Sequence, residues 1–286
     1  MNVYVSTSSV KNPFDLKKVL EKFKQLNITN IELGSSHHYI NDLESLLEMY
    51  KGNKYVIHNY FPPLLEPIAL NIASENTEIR NTSLNFAKNA IDLCVKLNVP
   101  IYSMHAGMLA DPNKIKFFEG FTFTEENFDE DKYNSAFLHL IASCKEINLY
   151  ARNHGVKFAI ETSGGHPEKF KYLLMTKIIE FRKLITEIND DNFGILLDIG
   201  HYNLSTHLNE EEDINMFISE FRDNIFQIHI HHNDGSDDQH LHPTIKELNY
   251  LKNINKDTII VLESMNNTPE SILEQYNIIK TFLTKG

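Results

Sequence analysis

Six short apolar segments of this chain end next to histidine or carboxylate side chains, the groups that bind divalent metal ions and transfer protons. The segments VIHNYF, SMHAG, AIETSGG, ILLDIGH, QIHIHHND and IVLESM contribute His58, His105, Glu161, Asp198, His201, His231 and Glu263. Imidazole nitrogens and carboxylate oxygens are ligands of zinc, manganese and similar ions. Carboxylates positioned at a substrate can also act as general base and general acid. The pattern therefore predicts a metal site with catalytic chemistry.

A second pattern, HHNDGSDDQHLH, follows the QIHI segment. In it, Asp238 and His240 form an Asp-x-His pair on a loop, which is either a ligand pair or an ordinary acidic turn. Strand alternation places His229 on the same face as His231, and we interpret His229 as a residue that supports the ligands from behind. The direction of His232 is left open, because alternation can fail at a strand end.

Each of these residues alone has a simpler explanation. A single histidine at a strand end is usually an ordinary core or surface side chain, Glu161 could pair with a lysine, and Asp198 could cap the following helix. The repetition argues against this, because unpaired buried carboxylates are costly and Glu161, Asp198 and Glu263 all end strands. Bound cations supply the compensating charge more simply than the few lysines in those loops.

Strand and helix patterns alternate along the whole chain. The predicted helices are marked by apolar residues at helical spacing, from Leu16 to Phe23 at one end to Ile272 to Ile279 at the other. Eight strands in such an alternation favour a closed parallel barrel over an open doubly wound sheet, and the C-terminal ends of its strands would gather the candidate residues in one bowl. We therefore predict an α/β fold with one (β/α)8 TIM barrel domain over residues 1–286. The predicted strands are 3–7, 30–35, 54–59, 101–106, 157–162, 193–199, 225–231 and 258–264.

Long loops follow the third and fourth predicted strands. Residues 62–74 form one, and residues 109–130 form the other, with phenylalanines at 117, 118, 121, 123 and 128. Loops of this length at the catalytic face of a barrel often build the pocket or close over it. The phenylalanines either anchor the loop on the barrel or contact substrate. No GxGxxG or GxxxxGK[ST] turn follows a strand, so nucleotide-cofactor binding has no support.

The composition narrows the choice of partners. The 286 residues include 27 basic and 39 acidic residues, a formal charge of −12, which disfavours a nucleic-acid partner at long range. Cys94 and Cys144 both lie in helical patterns, so we expect buried free thiols and a reducing compartment. No apolar run reaches the roughly 18 residues of a membrane span. These features predict a cytosolic protein that acts on a small molecule.

The chain resembles the xylose isomerase-like barrel superfamily, in particular the branch that joins endonuclease IV with sugar isomerases and epimerases. The resemblance runs nearly end to end, and its motifs are specific as an ordered set. They are His58, LNIAS (residues 70–74), His105 in MHAG, Glu161 in IET, Asp198 and His201 in DIGH, His231 in HHND, Asp238 and His240 in DQH, and Glu263 in LES.

The resemblance implies how the residues divide. Glu161, Asp198, His231 and Glu263 match the four-ligand metal site that both activities share. His58 and His105, bridged by Glu161, match a second zinc of the nuclease, and His201, Asp238 and His240 match a third. One to three ions of zinc or manganese are therefore implied. In single-metal sugar isomerases several of these histidines instead hold substrate hydroxyls, so His58, His105 and His201, together with Tyr60, are also candidates for substrate binding. Barrels of this kind often pair as homodimers.

Two segments depart from the family pattern. HPTIKE (residues 242–247) replaces the glycine-rich segment that often follows the Asp-x-His pair. Asn59, Tyr60, Phe61 and two prolines replace the serine-tyrosine-leucine wedge of the nuclease. We therefore expect a divalent-metal-dependent isomerase or epimerase of a sugar or sugar derivative, working through an enediolate with Glu161 and Glu263 as its general base and acid. The alternative is a zinc-dependent abasic-site endonuclease; a non-catalytic barrel is a third reading.

Overall fold

Eight parallel strands close into a barrel in the computed structural model, which describes residues 2–112, 114–116, 120–123, 129–208 and 212–285. Their order around the barrel is β1, β2, β3, β4, β7, β8, β9 and β10, and β10 pairs with β1. This confirms the predicted (β/α)8 architecture. The barrel strands are Asn2–Ser6 (β1), Asn30–Leu33 (β2), Lys54–His58 (β3), Ile101–Met104 (β4), Lys157–Glu161 (β7), Phe193–Asp198 (β8), Ile225–Ile230 (β9) and Ile259–Leu262 (β10).

Helices surround the barrel and bury their apolar faces against it. Several of their N-termini are capped by short polar side chains: Asp15 accepts from Lys18 N at 3.3 Å, and Asp129 accepts from Lys132 N at 2.8 Å. Such caps satisfy backbone donors that have no partner within the helix. The α-helices of the described residues are Leu16–Gln25 (α1), Leu43–Glu48 (α2), Thr77–Leu97 (α3), Glu130–Asn153 (α4), Ile178–Ile188 (α5), Ile199–Leu208 (α6), Ile214–Phe221 (α7), Ile245–Tyr250 (α8) and Pro269–Lys285 (α9).

The long segment after β4 contains regular structure that the sequence pattern does not predict. Lys114–Lys116 (β5) and Gly120–Thr122 (β6) pair as antiparallel strands. Of the five phenylalanines here, Phe123 stacks on Tyr172 with ring centroids 4.1 Å apart. That contact fits the anchoring interpretation for this one ring. The phenylalanines at 117, 118 and 128 lie outside the described residues, and the side chain at 121 is not described.

The inside of the barrel is divided into an apolar bottom and a polar top. Tyr4, Val56, Ile101, Ala159, Leu196 and Val261 form a separate buried cluster. Because side chains two residues apart on a strand share a face, the inward residues above this cluster include His58, Glu161, Asp198 and Glu263. The apolar cluster therefore closes the barrel from below, and the polar residues line its C-terminal end.

The helices meet the outer face of the barrel in one continuous apolar core, to which all eight barrel strands contribute. Helices α3 and α4 are the longest, with 21 and 24 residues, and they pack beside each other. Among the described residues, no helix has the length and apolar character needed to span a bilayer.

Candidate metal centre

Glu161 lies at the middle of a cluster of imidazole rings at the C-terminal end of the barrel. Its Oε2 is 3.4 Å from His58 Nε2 and 3.1 Å from His105 Nε2, and its Oε1 is 3.4 Å from His201 Nδ1. The carboxylate is 1% exposed, whereas the His105 side chain is 47% exposed. One carboxylate thus faces these three histidines, and water reaches the group beside His105.

Asp198 contributes to both the fold and the cluster. Its Oδ1 accepts from His201 N at 2.8 Å, which caps the start of α6, and both of its oxygens face His231 Nε2, at 2.9 and 3.1 Å. The capping interpretation and the ligand interpretation of Asp198 are therefore compatible. Helix α6 begins at the next residue, so β8 and α6 share this carboxylate at their junction.

The loop after β9 brings the Asp-x-His pair back over the barrel. Asp238 Oδ2 lies 3.4 Å from His201 Nε2 and 3.2 Å from His240 Nε2. His240 is held by a bond from its Nδ1 to the carbonyl oxygen of Glu263 at 2.9 Å, and its ring stacks on His231 with centroids 3.8 Å apart. Asp238 and His240 therefore contact His201 and His231 directly, which favours the ligand-pair interpretation over that of an ordinary acidic turn.

The glycine of the DIGH motif leaves room for an imidazole. A Cβ at Gly200 would lie 2.0 Å from His231 Cε1, closer than any side chain tolerates. Gly164, in the loop after β7, stands against His201 in the same way, with a contact of 2.6 Å. These two glycines permit the close packing of the histidines above the barrel.

The LNIAS stretch connects the loops after β3 and β4. Asn71 Nδ2 donates to Met108 O at 3.1 Å and to Asp111 Oδ1 at 2.8 Å, while Asn71 Oδ1 accepts from Met108 N at 2.9 Å. Ser74 Oγ donates to the other oxygen of Asp111 at 2.7 Å. This clamp fixes the segment that immediately follows His105.

Histidine 229 faces the barrel interior, as strand alternation predicts, but it lies deeper among the carboxylates than a residue that supports ligands from behind. It is fully buried, and its Nδ1 lies 2.9 Å from Glu263 Oε2, 3.5 Å from Glu161 Oε1 and 3.7 Å from Asp198 Oδ2. It is therefore among the carboxylates and not behind them, since β9 carries it to the barrel axis. His232 points away from the centre and pairs with Glu247 at 3.0 Å.

Tyr60 is tied to the loop that follows β3. Its ring stacks on Phe86 with centroids 5.0 Å apart, and its hydroxyl oxygen accepts from Ile68 N at 2.9 Å. These contacts help to fold the loop. A role of Tyr60 in substrate binding remains a prediction.

Histidines supply every ion pair that the central carboxylates form within the described part of the chain. The carboxylates are Glu32, Glu161, Asp198, Asp238 and Glu263. The lysine partner considered for Glu161 is absent from these pairs. The positive charge that balances the group must therefore come from protons on the rings or from a cation.

The pKa values follow from this arrangement. Burial alone would raise the pKa of Glu161, but the facing rings of His105 and His58 hold it well below its usual value. Burial opposes protonation of His240, yet Asp238 raises its pKa to about 9. Burial lowers the pKa of His58 to about 4. Without a cation, the cluster thus combines ionised carboxylates with both charged and neutral imidazoles.

The donor atoms fit a divalent ion. Ligand atoms of His58, His105 and Glu161 lie within 4.8 Å of one another, as do those of Asp198, His231 and Glu263. A third such group is His201, His231, Asp238 and His240. Several buried atoms that could bind a metal ion have no hydrogen-bond partner, among them Glu161 Oε2, Asp238 Oδ1 and Nδ1 of His231. Nitrogen and carboxylate donors of this kind suit zinc or manganese.

Comparison with known proteins identifies the family. Residues 20–280 match the family model described as xylose isomerase-like TIM barrel, so the chain belongs to that family. A relative in Methanocaldococcus jannaschii, uncharacterized protein MJ1614, is 27% identical over 278 residues, which cover 92% of this chain and 93% of the relative.

Solved structures share the fold over nearly the whole chain. A D-tagatose 3-epimerase-like protein superposes with a TM-score of 0.74 at 22% identity, covering 99% of this chain and 97% of that one. The IolI protein with a bound zinc atom superposes with a TM-score of 0.68 at 16% identity, covering 100% and 99%. At these identities the likeness establishes the fold.

Proposed function

We propose that this protein is a divalent-metal-dependent isomerase or epimerase of a small sugar or sugar derivative. The observation that carries the proposal is the convergence of Glu161, Asp198 and Glu263, paired only with imidazoles among the described residues, at the open end of the barrel. The fold is that of proteins named as sugar epimerases, including the D-tagatose 3-epimerase-like protein. A sugar-like substrate is also compatible with an acidic protein.

The carboxylates and histidines have separate roles in this proposal. Glu161, Asp198, His231 and Glu263 would hold the ion, which supplies Lewis acidity toward adjacent carbonyl and hydroxyl oxygens of the substrate. Glu161, whose low pKa keeps it ionised at neutral pH, removes the proton from the carbon next to the carbonyl. Glu263, which enters this step protonated, gives its proton to the resulting enediolate, while Glu161 keeps the proton that it removed. His58, His105 and His201 bind hydroxyls of the substrate.

The experiment follows the proton transfer itself. Protein loaded with Mn²⁺ or Zn²⁺ is incubated in D₂O with a panel of ketoses, aldoses and their phosphates, and NMR detects deuterium next to the carbonyl. We expect exchange and isomerisation of at least one sugar, lowered about 10²–10⁴-fold by Glu161→Gln or Glu263→Gln. His232→Gln, whose ring faces away from the centre, serves as the matched control. A full panel without exchange refutes the proposal.

A zinc-dependent abasic-site endonuclease is the second candidate. It is favoured by the three donor groups described above, which together include all nine predicted ligand residues. Two or more zinc ions could activate water and stabilise both oxygens of an in-line displacement. The formal charge of −12 argues against a duplex substrate. Three zincs per chain and cleavage of an abasic duplex, lost in Glu161→Gln, would place this candidate ahead of the isomerase.

A cytosolic location and a homodimer complete the proposal. The cysteines at 94 and 144 are both buried and free, which supports a reducing compartment. Light scattering of the purified protein tests the dimer, and cell fractionation tests the location.

A further inference from the structure

Three buried polar side chains on β2, β4 and β9 lie in a row inside the barrel next to His58. They are Glu32, Ser103 and Gln227, which are completely buried and are not predicted site residues; we call them the polar row. Gln227 Nε2 donates to Glu32 Oε2 at 2.7 Å, and the same oxygen pairs with His229 Nε2 at 2.8 Å. Ser103 Oγ donates to Gln227 Oε1 at 3.3 Å and lies 3.1 Å from His58 Nδ1.

The direction of each hydrogen bond in the polar row follows from the carboxylate at its end. Because a carboxylate oxygen can only accept, Gln227 must turn its NH₂ group toward Glu32 and its oxygen toward Ser103. The single hydroxyl hydrogen of Ser103 is donated to that oxygen, so the hydroxyl can only accept from His58. The Nδ1 atom of His58 must therefore carry a hydrogen.

The other nitrogen of the His58 ring faces the metal centre. This nitrogen, Nε2, lies 3.4 Å from Glu161 Oε2, a buried oxygen that has no hydrogen-bond partner among the described residues. Burial, which lowers the pKa of His58 to about 4, disfavours a second hydrogen on the ring at neutral pH. Two atoms that can only accept hydrogen bonds thus face each other, which favours a group that donates, such as a substrate hydroxyl, at this place.

We propose that the polar row holds the hydrogen of His58 on Nδ1, so that Nε2 accepts a hydrogen bond from a substrate hydroxyl. The members of the polar row are positioning residues, because they act on the substrate only through His58. The inference rests on the hydroxyl-binding role of His58 in the proposed function and adds the direction of that hydrogen bond. It leaves the four metal ligands of the proposed function unchanged.

The position of the hydrogen can be measured without a substrate or a metal ion. Protein labelled with ¹⁵N-histidine is studied by NMR in the presence of a chelator, and the His58 signals are assigned from their loss in His58→Gln. The two nitrogens of a neutral ring differ in frequency according to which of them carries the hydrogen. We expect the hydrogen on Nδ1 in the wild type. A hydrogen on Nε2, or on both nitrogens, overturns the inference.

Removing the hydroxyl of Ser103 should reverse the His58 ring. In Ser103→Ala the Nδ1 hydrogen loses its acceptor, whereas a hydrogen on Nε2 can be donated to Glu161 Oε2, so we expect the Nε2 form to predominate. Thr258→Val is the matched control, since it removes a buried hydroxyl that donates to Ile225 O at the N-terminal end of the strands. It should leave the His58 signals unchanged. Wild-type His58 signals in Ser103→Ala refute the positioning.

Glu32→Gln tests the far end of the polar row. An amide at this position can donate as well as accept, so the Gln227 amide is free to turn over, and we expect a mixture of both His58 forms. If the Nδ1 form alone persists, Glu32 has no part in the positioning.

Substrate kinetics distinguish this inference from the proposed function. With a sugar that the wild type converts, Ser103→Ala should raise KM about 2–10-fold, the loss of one hydrogen bond, whereas Thr258→Val should keep the wild-type KM. A reversed ring with an unchanged KM overturns the hydrogen bond to the substrate. A wild type that carries the hydrogen on Nδ1 but converts no sugar refutes the proposed function and retains the positioning of His58 by the polar row.

Discussion

Single side chains at the barrel end combine structural and chemical roles, and Asp198 is the clearest case. One of its oxygens caps helix α6 through His201 N, and both oxygens face His231. The cap satisfies a backbone donor, while the negative charge contributes to the metal centre. The two roles depend on different properties of the side chain, so two substitutions can separate them.

Asp198→Asn keeps an oxygen that can cap the helix but removes the charge, whereas Asp198→Ala removes both. We expect both variants to lose zinc affinity. The free energy of unfolding without metal should be lower in the alanine variant by about 0.5–2 kcal/mol, the cost of losing an N-cap. Urea titration with chelator present measures this difference. Equal stability of the two variants would contradict the capping role.

Histidine 37, which carries no ligand context in the sequence, is a buried structural residue. Its Nδ1 donates to Pro13 O at 2.6 Å, and its Nε2 accepts from Thr7 Oγ1 at 2.7 Å. Burial lowers its pKa to about 4. The ring is therefore neutral in the folded protein at pH values where it is protonated in the unfolded chain.

This difference predicts a pH dependence of stability. Between pH 6.5 and about 4 the unfolded chain binds one more proton at His37 than the folded protein does. The free energy of unfolding therefore decreases as the pH is lowered through this range. The contribution reaches about 1.4 kcal/mol per pH unit. Urea titrations at several pH values should show a shallower fall for His37→Gln than for wild type. Parallel pH profiles would contradict the prediction.

The sequence predicts the residues at the strand ends but not Glu32, a buried carboxylate deeper inside the barrel. His58, Glu161 and Glu263 follow apolar runs, and a barrel must gather such ends. Glu32 lies in an ordinary strand pattern, and its partner His229 is 197 positions away. Only closure of the barrel, which carries β2 and β9 around a common axis, brings these two side chains together, and no local spacing encodes that contact.

At the scale of elements, loops after the strands carry as much of the site as the strands do. Asn71, in the loop after β3, binds the backbone of Met108 in the loop after β4. The connection requires Gly107, which has a φ of +93° and leaves no room for a Cβ, since Asn71 Oδ1 would lie 2.6 Å away. The two loops therefore position His105 as one unit.

Gly107→Ala should disturb both stability and metal binding. We expect a loss of more than about 1 kcal/mol from the backbone strain alone, with a further cost from the contact with Asn71. Gly155→Ala is the matched control, because Gly155 has a φ of +69° but nothing within 4 Å of the added Cβ. Urea titration and zinc affinity are measured for both variants. If Gly155→Ala lowers stability and zinc affinity as much as Gly107→Ala does, the hydrogen bonds between Asn71 and Met108 do not position the site.

The element boundaries show where pattern-based prediction stops working. The predicted strands 101–106, 225–231 and 258–264 end in the structure at Met104, Ile230 and Leu262. Their last residues leave the barrel ladder to bring His105, His231 and Glu263 over its mouth. The predicted apolar patterns mark neither α6 nor α8, because α6 is buried on most sides and α8 buries only Glu247 and Leu248.

For the whole molecule, burying several carboxylates together lowers the free energy of unfolding, and a bound cation can offset that loss. The protein has 39 acidic and 27 basic residues, and five of its carboxylates are grouped inside the barrel with imidazoles as their described partners. Composition predicts the acidic character. It does not predict that part of this charge is concentrated at the barrel axis.

Removing bound metal should therefore destabilise the whole domain. We expect chelator-treated protein to melt several degrees lower than protein with Zn²⁺ or Mn²⁺ at a hundred times its dissociation constant, a linkage energy of about 2.7 kcal/mol. Differential scanning calorimetry measures the shift. Glu161→Gln should show little shift on adding metal. Identical melting of the wild type with and without metal would contradict the prediction.

The histidines of the centre differ in their exposure to solvent. The His105 side chain is about half exposed to solvent, whereas His58, His201 and His231 are buried. A reagent that acylates imidazoles should therefore modify His105 ahead of the buried histidines of the centre. The His105 ring, in contact with Glu161 at 3.1 Å, is thus a side chain through which solvent-exposed surface adjoins the buried carboxylate.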